Sequence, residues 1–374
     1  MKKSPAVVLF AFVVVIACGA TNQNNQAGPA TLKDAFKDDF LVGAAVNRLQ
    51  FYGEDKRGVP IIKAQFNSIT PENVLKWQSV HPSPGKFDFA AADRYVEFGE
   101  TNHMFIIGHT LVWHHQTPRW VFEDEDGNPV DRGVVLQRMR EHILTVVGRY
   151  RGRIKGWDVV NEALNDDGTL RESPWKKLIG DDYIEKAFQF AHEADPQAQL
   201  HYNDYALENL RKRHGAIALI KKLQAEGIPI TAVGLQEHVK MDWPSTNQVD
   251  ETISDFARLG VKVMITELDV DVVPATQGNR AADITLNAQQ ATNADVFAAG
   301  LPEDKQQALA RRHADLFRVY LKHRADISRV TFWGVTDGDS WLNSRGRTNY
   351  PLLFDRAGNP KPAFEEVIRV AHER

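Results

Sequence analysis

The sequence predicts an α/β fold, a single (β/α)8 TIM barrel behind a short N-terminal leader. Three observations lead there. Eight short apolar runs rich in Val, Ile and aromatic residues recur between residues 40 and 335. Most of them lack polar alternation, as strands buried on both faces do. Helical patterns fill the intervals, and strands that alternate with helices imply a parallel sheet. The length of 374 residues suits one large barrel plus a leader, and no internal repeat or low-complexity run argues for a second domain.

The leader comes first. Lys2 and Lys3 precede an unbroken apolar run from Ala6 to Ala17. A membrane-spanning helix needs roughly 20 residues, so this shorter run reads as the core of a signal peptide over residues 1–17. The run ends Val15-Ile16-Ala17-Cys18-Gly19, which resembles a bacterial lipoprotein box. That resemblance implies lipidation of Cys18 and a membrane-anchored lipoprotein at the periplasm or cell surface. If Cys18 is incidental, the leader implies plain secretion. Cys18 is the one cysteine of the chain, so no disulfide within the chain can form despite an oxidising destination. Residues 18–31 are polar with Gly and Pro, a flexible tether, and 32–374 are left for the barrel.

The candidate strands are Phe40–Val46, Phe66–Thr70, Met104–Leu111, Ile154–Val160, Gln199–Asn203, Ile230–Gln236, Lys262–Glu267 and Arg329–Val335. Between the third and fourth, Leu136, Met139, Ile143, Val146, Val147 and Tyr150 recur at helical spacing. Further helices are expected at Asp182–Ala194, Glu208–Glu226, Gln248–Leu259, Pro302–Arg324 and Pro362–His372. One connection is long: residues 271–300 follow the seventh strand and are rich in Ala, Asn, Asp, Gln and Thr. Loops of this length are uncommon unless functional or mobile.

Composition narrows the function. The chain is 43% hydrophobic and 25% charged with a net charge of −4. Loss of the leader removes Lys2 and Lys3 and makes that −6. A mildly acidic surface has no electrostatic footprint for nucleic acid and suits an uncharged substrate. The expected membrane contact is the anchor on Cys18, and a monomer is expected.

Two carboxylates stand where a barrel keeps its catalysts. Glu162 closes Trp157-Asp158-Val159-Val160-Asn161-Glu162, and Glu267 closes Val263-Met264-Ile265-Thr266-Glu267. Each follows an apolar strand, which places it at the C-terminal rim. The fourth and seventh strands face each other across a closed barrel. Paired carboxylates flanking a bond are the machinery of glycoside hydrolysis; the same two acids could also form salt bridges or helix caps. Their surroundings favour chemistry. Asn161 adjoins Glu162, and His238 ends the sixth strand beside Glu267, where a histidine can hold a carboxylate ionised. Glu72, Asn73 and Lys76 follow the second strand, His109 ends the third, and Asn203 and Tyr205 end the fifth. Among the 8 tryptophans, Trp77, Trp113, Trp333 and Trp341 fall in rim loops, where indole faces can stack on sugar rings. Trp157 and Trp175 read as core.

The stretches FNSITPENVLKW, GHTLVWHHQTPRW, WDVVNEALNDDGTLRESPW, YNDY, GLQEH, ITELD and WGVTDGDSW together resemble glycoside hydrolase family ten, the endo-β-1,4-xylanases. The two glutamate motifs in this order are specific; YNDY alone is weak. The resemblance implies Glu162 as acid/base and Glu267 as nucleophile of a retaining mechanism on xylan, with no cofactor or metal. It carries Glu72, Asn73, Lys76, His109, Trp113, Gln116, Asn161, Gln236, His238, Trp333 and Trp341 over as contacts to sugars in the −1 and −2 subsites or to the pair. Asn203 joins them as a support. Leu75 and Ala206 depart from residues frequent in the family, Met and Asn. Among rivals, a metal-dependent hydrolase built on His109, His114, His115 and His238 lacks a ligand spacing. A glycan-binding lipoprotein without catalysis would not need both glutamates. A β-1,4-glucanase is the rival within the enzyme class.

Overall fold

In the computed structural model, residues 30–274, 295–343 and 347–373 are described, together with Met1. The leader beyond Met1, Cys18 and nearly all of the tether lie outside the described residues, as does most of the 271–300 connection. Among the described residues no helix is long and apolar enough to cross a membrane.

The strands are β1 (Leu41–Val46), β2 (Ser68–Pro71), β3 (Phe105–Val112), β4 (Gly156–Asn161), β5 (Gln199–Asp204), β6 (Ala232–Leu235), the short β7 (His238–Lys240), β8 (Lys262–Asp271) and β9 (Ile327–Phe332). Every pairing is parallel. β1 to β6 follow in sequence, β6 pairs with β8, and β9 returns to β1. The ring is therefore a closed eight-stranded barrel, and β7 is an outlying extension on β8. Nearly every strand residue is buried, which accounts for the apolar runs in the sequence.

The helices are α1 (Leu32–Ala35), α2 (Arg48–Phe51), α3 (Gly58–Gln65), α4 (Trp77–Val80), α5 (Ala90–Thr101), α6 (Arg132–Arg149), α7 (Pro174–Ile179), α8 (Tyr183–Ala194), α9 (Leu210–Ala225), α10 (Thr246–Ala257), α11 (Glu303–Lys322) and α12 (Pro362–Ala371). Local chemistry marks several starts. Ser173 and Asn209 accept backbone N–H groups at the heads of α7 and α9, and Ser245 with Gln248 forms a reciprocal capping box on α10. Pro362 opens α12, where its missing N–H costs nothing. Inside the barrel, Gly108 faces Trp157 on the neighbouring strand, and a Cβ there would lie 2.1 Å from the indole.

Two expectations need correction. The sixth run, Ile230–Gln236, forms a strand only over Ala232–Leu235; a turn with Glu237 at φ +55° then leads into β7. The seventh strand does not stop at Glu267 but continues to Asp271. Glu267 therefore lies inside a strand, at a break in register: Leu235 faces Ile265, yet His238 faces Asp269. Two residues, Gln236 and Glu237, oppose the three residues Thr266, Glu267 and Leu268, a bulge-like mismatch of the kind that re-aims a side chain.

Candidate active site

The site forms at the C-terminal rim, where Glu162 leaves β4 and Glu267 projects from the irregular part of β8. Glu162 has φ +55°, as does Glu237, and Gln116 stands at +47°. Residues other than glycine seldom adopt this region, and such positions concentrate at functional sites.

Three donors converge on Glu162. Trp113 Nε1 donates to Oε2 at 2.8 Å, and Gln236 Nε2 and Asn161 Nδ2 donate to Oε1 at 3.0 and 3.2 Å. Burial still pushes this carboxyl above the ordinary range. The Gln236 and Trp113 hydrogen bonds oppose the shift, while the charges of Asp204 and Glu267 reinforce it. Glu162 thus favours the neutral acid.

Glu267 has the opposite environment. Asn203 Nδ2 donates to Oε1 at 2.8 Å, and His238 Nε2 lies 3.1 Å from Oε2. Burial pushes this carboxyl up as well. The His238 contact, the charges of His109 and His238 and the Asn203 amide outweigh burial and bring it below the ordinary range.

The Asn203 amide joins the two halves. Its nitrogen also reaches Asn161 Oδ1 at 2.9 Å, and Gln236 Nε2 lies 3.4 Å from the same oxygen. Thr266 Oγ1 donates to Asn203 Oδ1 at 2.7 Å and so selects which end of the amide faces Glu267. Gly234 leaves room for it, since a Cβ there would lie 2.2 Å from Asn203 Oδ1.

The remaining residues singled out from the sequence gather on the same rim. Lys76 is buried, donates to Asn73 Oδ1 at 3.3 Å and stands 4.9 Å from the Trp113 ring centroid. Burial lowers its pKa, opposed by the charges of Glu267, Glu162 and Glu72, so the ammonium lies near all three acids. Gln116 Nε2 reaches Asn73 Oδ1 at 3.3 Å. Glu72 is pushed up to about 7 by burial and by the charge of Asp339, with Lys76 pulling the other way. Trp333 meets His109 and His238 edge to face at 5.5 and 6.2 Å between centroids, and Trp341 meets His238 at 5.1 Å.

Sequence reasoning missed the groups behind these. Asp158 accepts from both His109, at 2.9 Å, and His201, at 3.2 Å. Asp269 lies 3.0 Å from His238 Nδ1 and accepts the Trp341 indole N–H at 2.8 Å. Asp204 accepts from Tyr202 at 2.5 Å and pairs with Lys212 at 2.7 Å. The signal was present but unused: Asp158 and Asp269 are buried acids within apolar strands, and such acids need partners.

A neutral carboxylic acid and a carboxylate on strands separated by β5 and β6 around the rim, ringed by amides and indoles, can protonate a leaving oxygen and attack an acetal carbon. The known relatives agree with that chemistry. The family model for Glycosyl hydrolase family 10 matches residues 31–370. An endo-1,4-beta-xylanase A from Xylanibacter ruminicola is 41% identical over 373 residues, covering 99% of this chain and all of that protein. A GH10 endoxylanase from a sugarcane soil metagenome superposes with a TM-score of 0.84 at 44% identity, over 91% of this chain and 99% of that one. An intracellular xylanase from Thermoanaerobacterium saccharolyticum, solved as a mutant with xylotriose, gives a TM-score of 0.80 at 36% identity, over 91% and 99%. A match that spans the whole barrel and both carboxylate strands leaves one assignment: the chain belongs to glycosyl hydrolase family 10.

Proposed function

We propose that this protein is an endo-1,4-β-xylanase that cuts internal bonds of xylan with retention of configuration. The observation that carries the reading is the contrast between the two carboxyls. Glu162 is biased toward the acid by burial and neighbouring charge, and Glu267 toward the anion by His238 and Asn203. In the first step a Glu267 oxygen bonds to the anomeric carbon as the glycosidic C–O bond breaks and the Glu162 proton passes to the leaving oxygen. In the second, Glu162 takes a proton from water, which displaces Glu267 from the sugar. Glu72, Asn73, Lys76, His109, Trp113, Gln116, Asn161, Gln236, His238, Trp333 and Trp341 would hold the xylose units at −1 and −2 or the catalytic pair, and the buried Asn203 supports Glu267. Carboxylate double displacement requires no cofactor.

Release of reducing sugar from xylan, and not from carboxymethylcellulose, tests the activity. Glu267→Ala should lose nearly all turnover on any substrate. Glu162→Ala should still form the glycosyl-enzyme from aryl xylobiosides with good leaving groups, and added azide should then yield a β-xylosyl azide. An α-azide would overturn the roles or the stereochemistry. We further propose export as a monomeric lipoprotein, on the strength of Lys2, Lys3, the apolar run to Ala17 and Cys18. Cys18→Ala should move the enzyme from the membrane fraction to the soluble one; unchanged fractionation would discard the anchor.

A further inference from the structure

Glu237 sits between two residues that touch opposite members of the carboxyl pair. Gln236 donates to Glu162, and His238 contacts Glu267. The backbone of the same turn reaches β8 directly: Gln236 O accepts the Glu267 N–H at 3.0 Å, and Glu237 O the Asp269 N–H at 3.4 Å. This turn is where two residues oppose three, so its shape decides where Glu267 points. Its central residue has φ +55°, a conformation that glycine adopts freely and glutamate does not.

The Glu237 side chain is only 2% exposed. Tyr320 of α11 donates its hydroxyl to Oε2 at 3.0 Å. Oε1 has no hydrogen-bond partner, and neither has Oε1 of Glu208, a second buried acid just before α9. Nearby cations are engaged elsewhere. Arg312 donates to Lys240 O and Pro244 O, Lys212 pairs with Asp204, and Arg213 pairs with Asp255. Burial and the charge of Glu208 push the Glu237 carboxyl far up, against the pull of Tyr320 and Arg312.

We propose that Glu237 is a positioning residue for the reaction: its carboxyl, pinned by Tyr320, holds the left-handed turn that sets Gln236 on Glu162 and His238 on Glu267. This rests on the roles given above to Glu162 and Glu267. It also gives a reason for glutamate at a backbone position where glycine would fit with less strain.

The test is a pH–rate series on an aryl β-xylobioside. Glu237→Gly suits the backbone but removes the pin. Its kcat should fall about ten- to a hundredfold, the range that a small misplacement of reacting groups produces, with KM within about twofold. Both limbs of the kcat/KM profile should move to higher pH, because each carboxyl loses the donor that draws its pKa down. Glu237→Gln keeps a neutral donor and acceptor and should recover most of the rate and both limbs. Tyr320→Phe should shift the profile the same way by less. A folded Glu237→Gly enzyme with wild-type kcat and unmoved limbs would overturn the proposal, as would Glu237→Gln as impaired as Glu237→Gly. If Glu237→Gly does not fold, an unmoved profile in Tyr320→Phe overturns it. Wild-type protein inert on xylosides would instead refute the catalytic assignment itself, so the two failures are distinct.

Discussion

Asp269 and His238 face each other as register partners of β8 and β7, with Asp269 Oδ2 3.0 Å from His238 Nδ1. The other ring nitrogen lies 3.1 Å from Glu267 Oε2. The imidazole is therefore held between two carboxylates. Burial pulls its pKa down, but the charge and contact of Asp269 and then of Glu267 carry it up to about 10. An imidazolium with a carboxylate close to each ring nitrogen keeps Glu267 ionised, which a nucleophile requires.

Asp269→Asn tests that chain of charge. The amide no longer stabilises the imidazolium, so the His238 pKa falls and Glu267 loses part of what holds its own pKa down. Activity needs ionised Glu267, so the acid limb of kcat/KM should move to higher pH. Stability gives a second sign. A histidine raised from 6.5 to about 10 on folding contributes stability that is fully present below about pH 6.5 and lost as pH rises through about 10. The thermal midpoint of the wild type should fall across that window, and that of Asp269→Asn should fall less. An acid limb that stays in place would show that Asp269 only supports the Trp341 indole.

Thr266→Val is a near-isosteric change that removes the hydroxyl orienting Asn203. The amide loses the 2.7 Å bond that fixes its oxygen and can turn its nitrogen away from Glu267. A hydrogen bond to a charged group is worth roughly 1.5–3 kcal/mol, so kcat should fall by about ten- to a hundredfold. KM on xylo-oligosaccharides should change little, because Asn203 is buried behind the nucleophile. An unchanged kcat would mean that Asn161 alone keeps the amide in place.

The barrel was legible because its strands are buried on both faces and the runs between turns announce themselves. Glu162 was legible for the same reason, as a charged residue directly after Val159-Val160-Asn161. The groups behind the site were not. Asp158 meets His109 and His201, and Asp269 meets His238, only because parallel strands bring them into register; their separations in sequence carry no hint of it. The extension of β8 past Glu267 was hidden because Thr266, Glu267 and Asp269 interrupt the apolar pattern while staying buried. Ala206, noted only as a departure from Asn, has φ +50°, a conformation that Asn tolerates better than Ala. The subsite residues came largely from resemblance, since a lone Asn73 or Gln116 has no local signature.

Trp341 should act as a wall against the hydroxymethyl group that distinguishes glucose from xylose. Its ring is fixed by the indole hydrogen bond to Asp269 and by edge contact with His238 at 5.1 Å, so it cannot easily swing aside. Replacing Trp341 with a smaller residue should weaken xylan cleavage and raise the activity ratio of aryl β-cellobioside over aryl β-xylobioside. A ratio that stays flat or falls would remove the indole from sugar discrimination.

Acid should destabilise this barrel through histidines buried as neutral rings. His142 stacks on Trp77 at 3.7 Å with an interplanar angle of 4°, and its Nδ1 lies 3.4 Å from that of His81, which itself stacks on Phe87 at 3.8 Å. Two facing ring nitrogens can share one proton, and a second would put two cations together inside an aromatic stack. Burial accordingly pulls His81 down to about 4 and His142 well below the ordinary value, and the charge of His81 adds to the effect on His142. Unfolded, both rings protonate near 6.5, so the unfolded chain binds more protons below that pH. Their contribution to stability is fully present above about pH 6.5 and lost as pH falls toward 4. The thermal midpoint should therefore drop steeply over this window. His142→Phe keeps the stacking ring and removes the titration, so its midpoint should depend less on pH from 6.5 to 4, even if it starts lower at pH 7. Calorimetry at fixed ionic strength measures both slopes. Equal slopes would place the acid sensitivity elsewhere, with His313 and His114, each pulled down to about 3 by burial, as the next groups to replace.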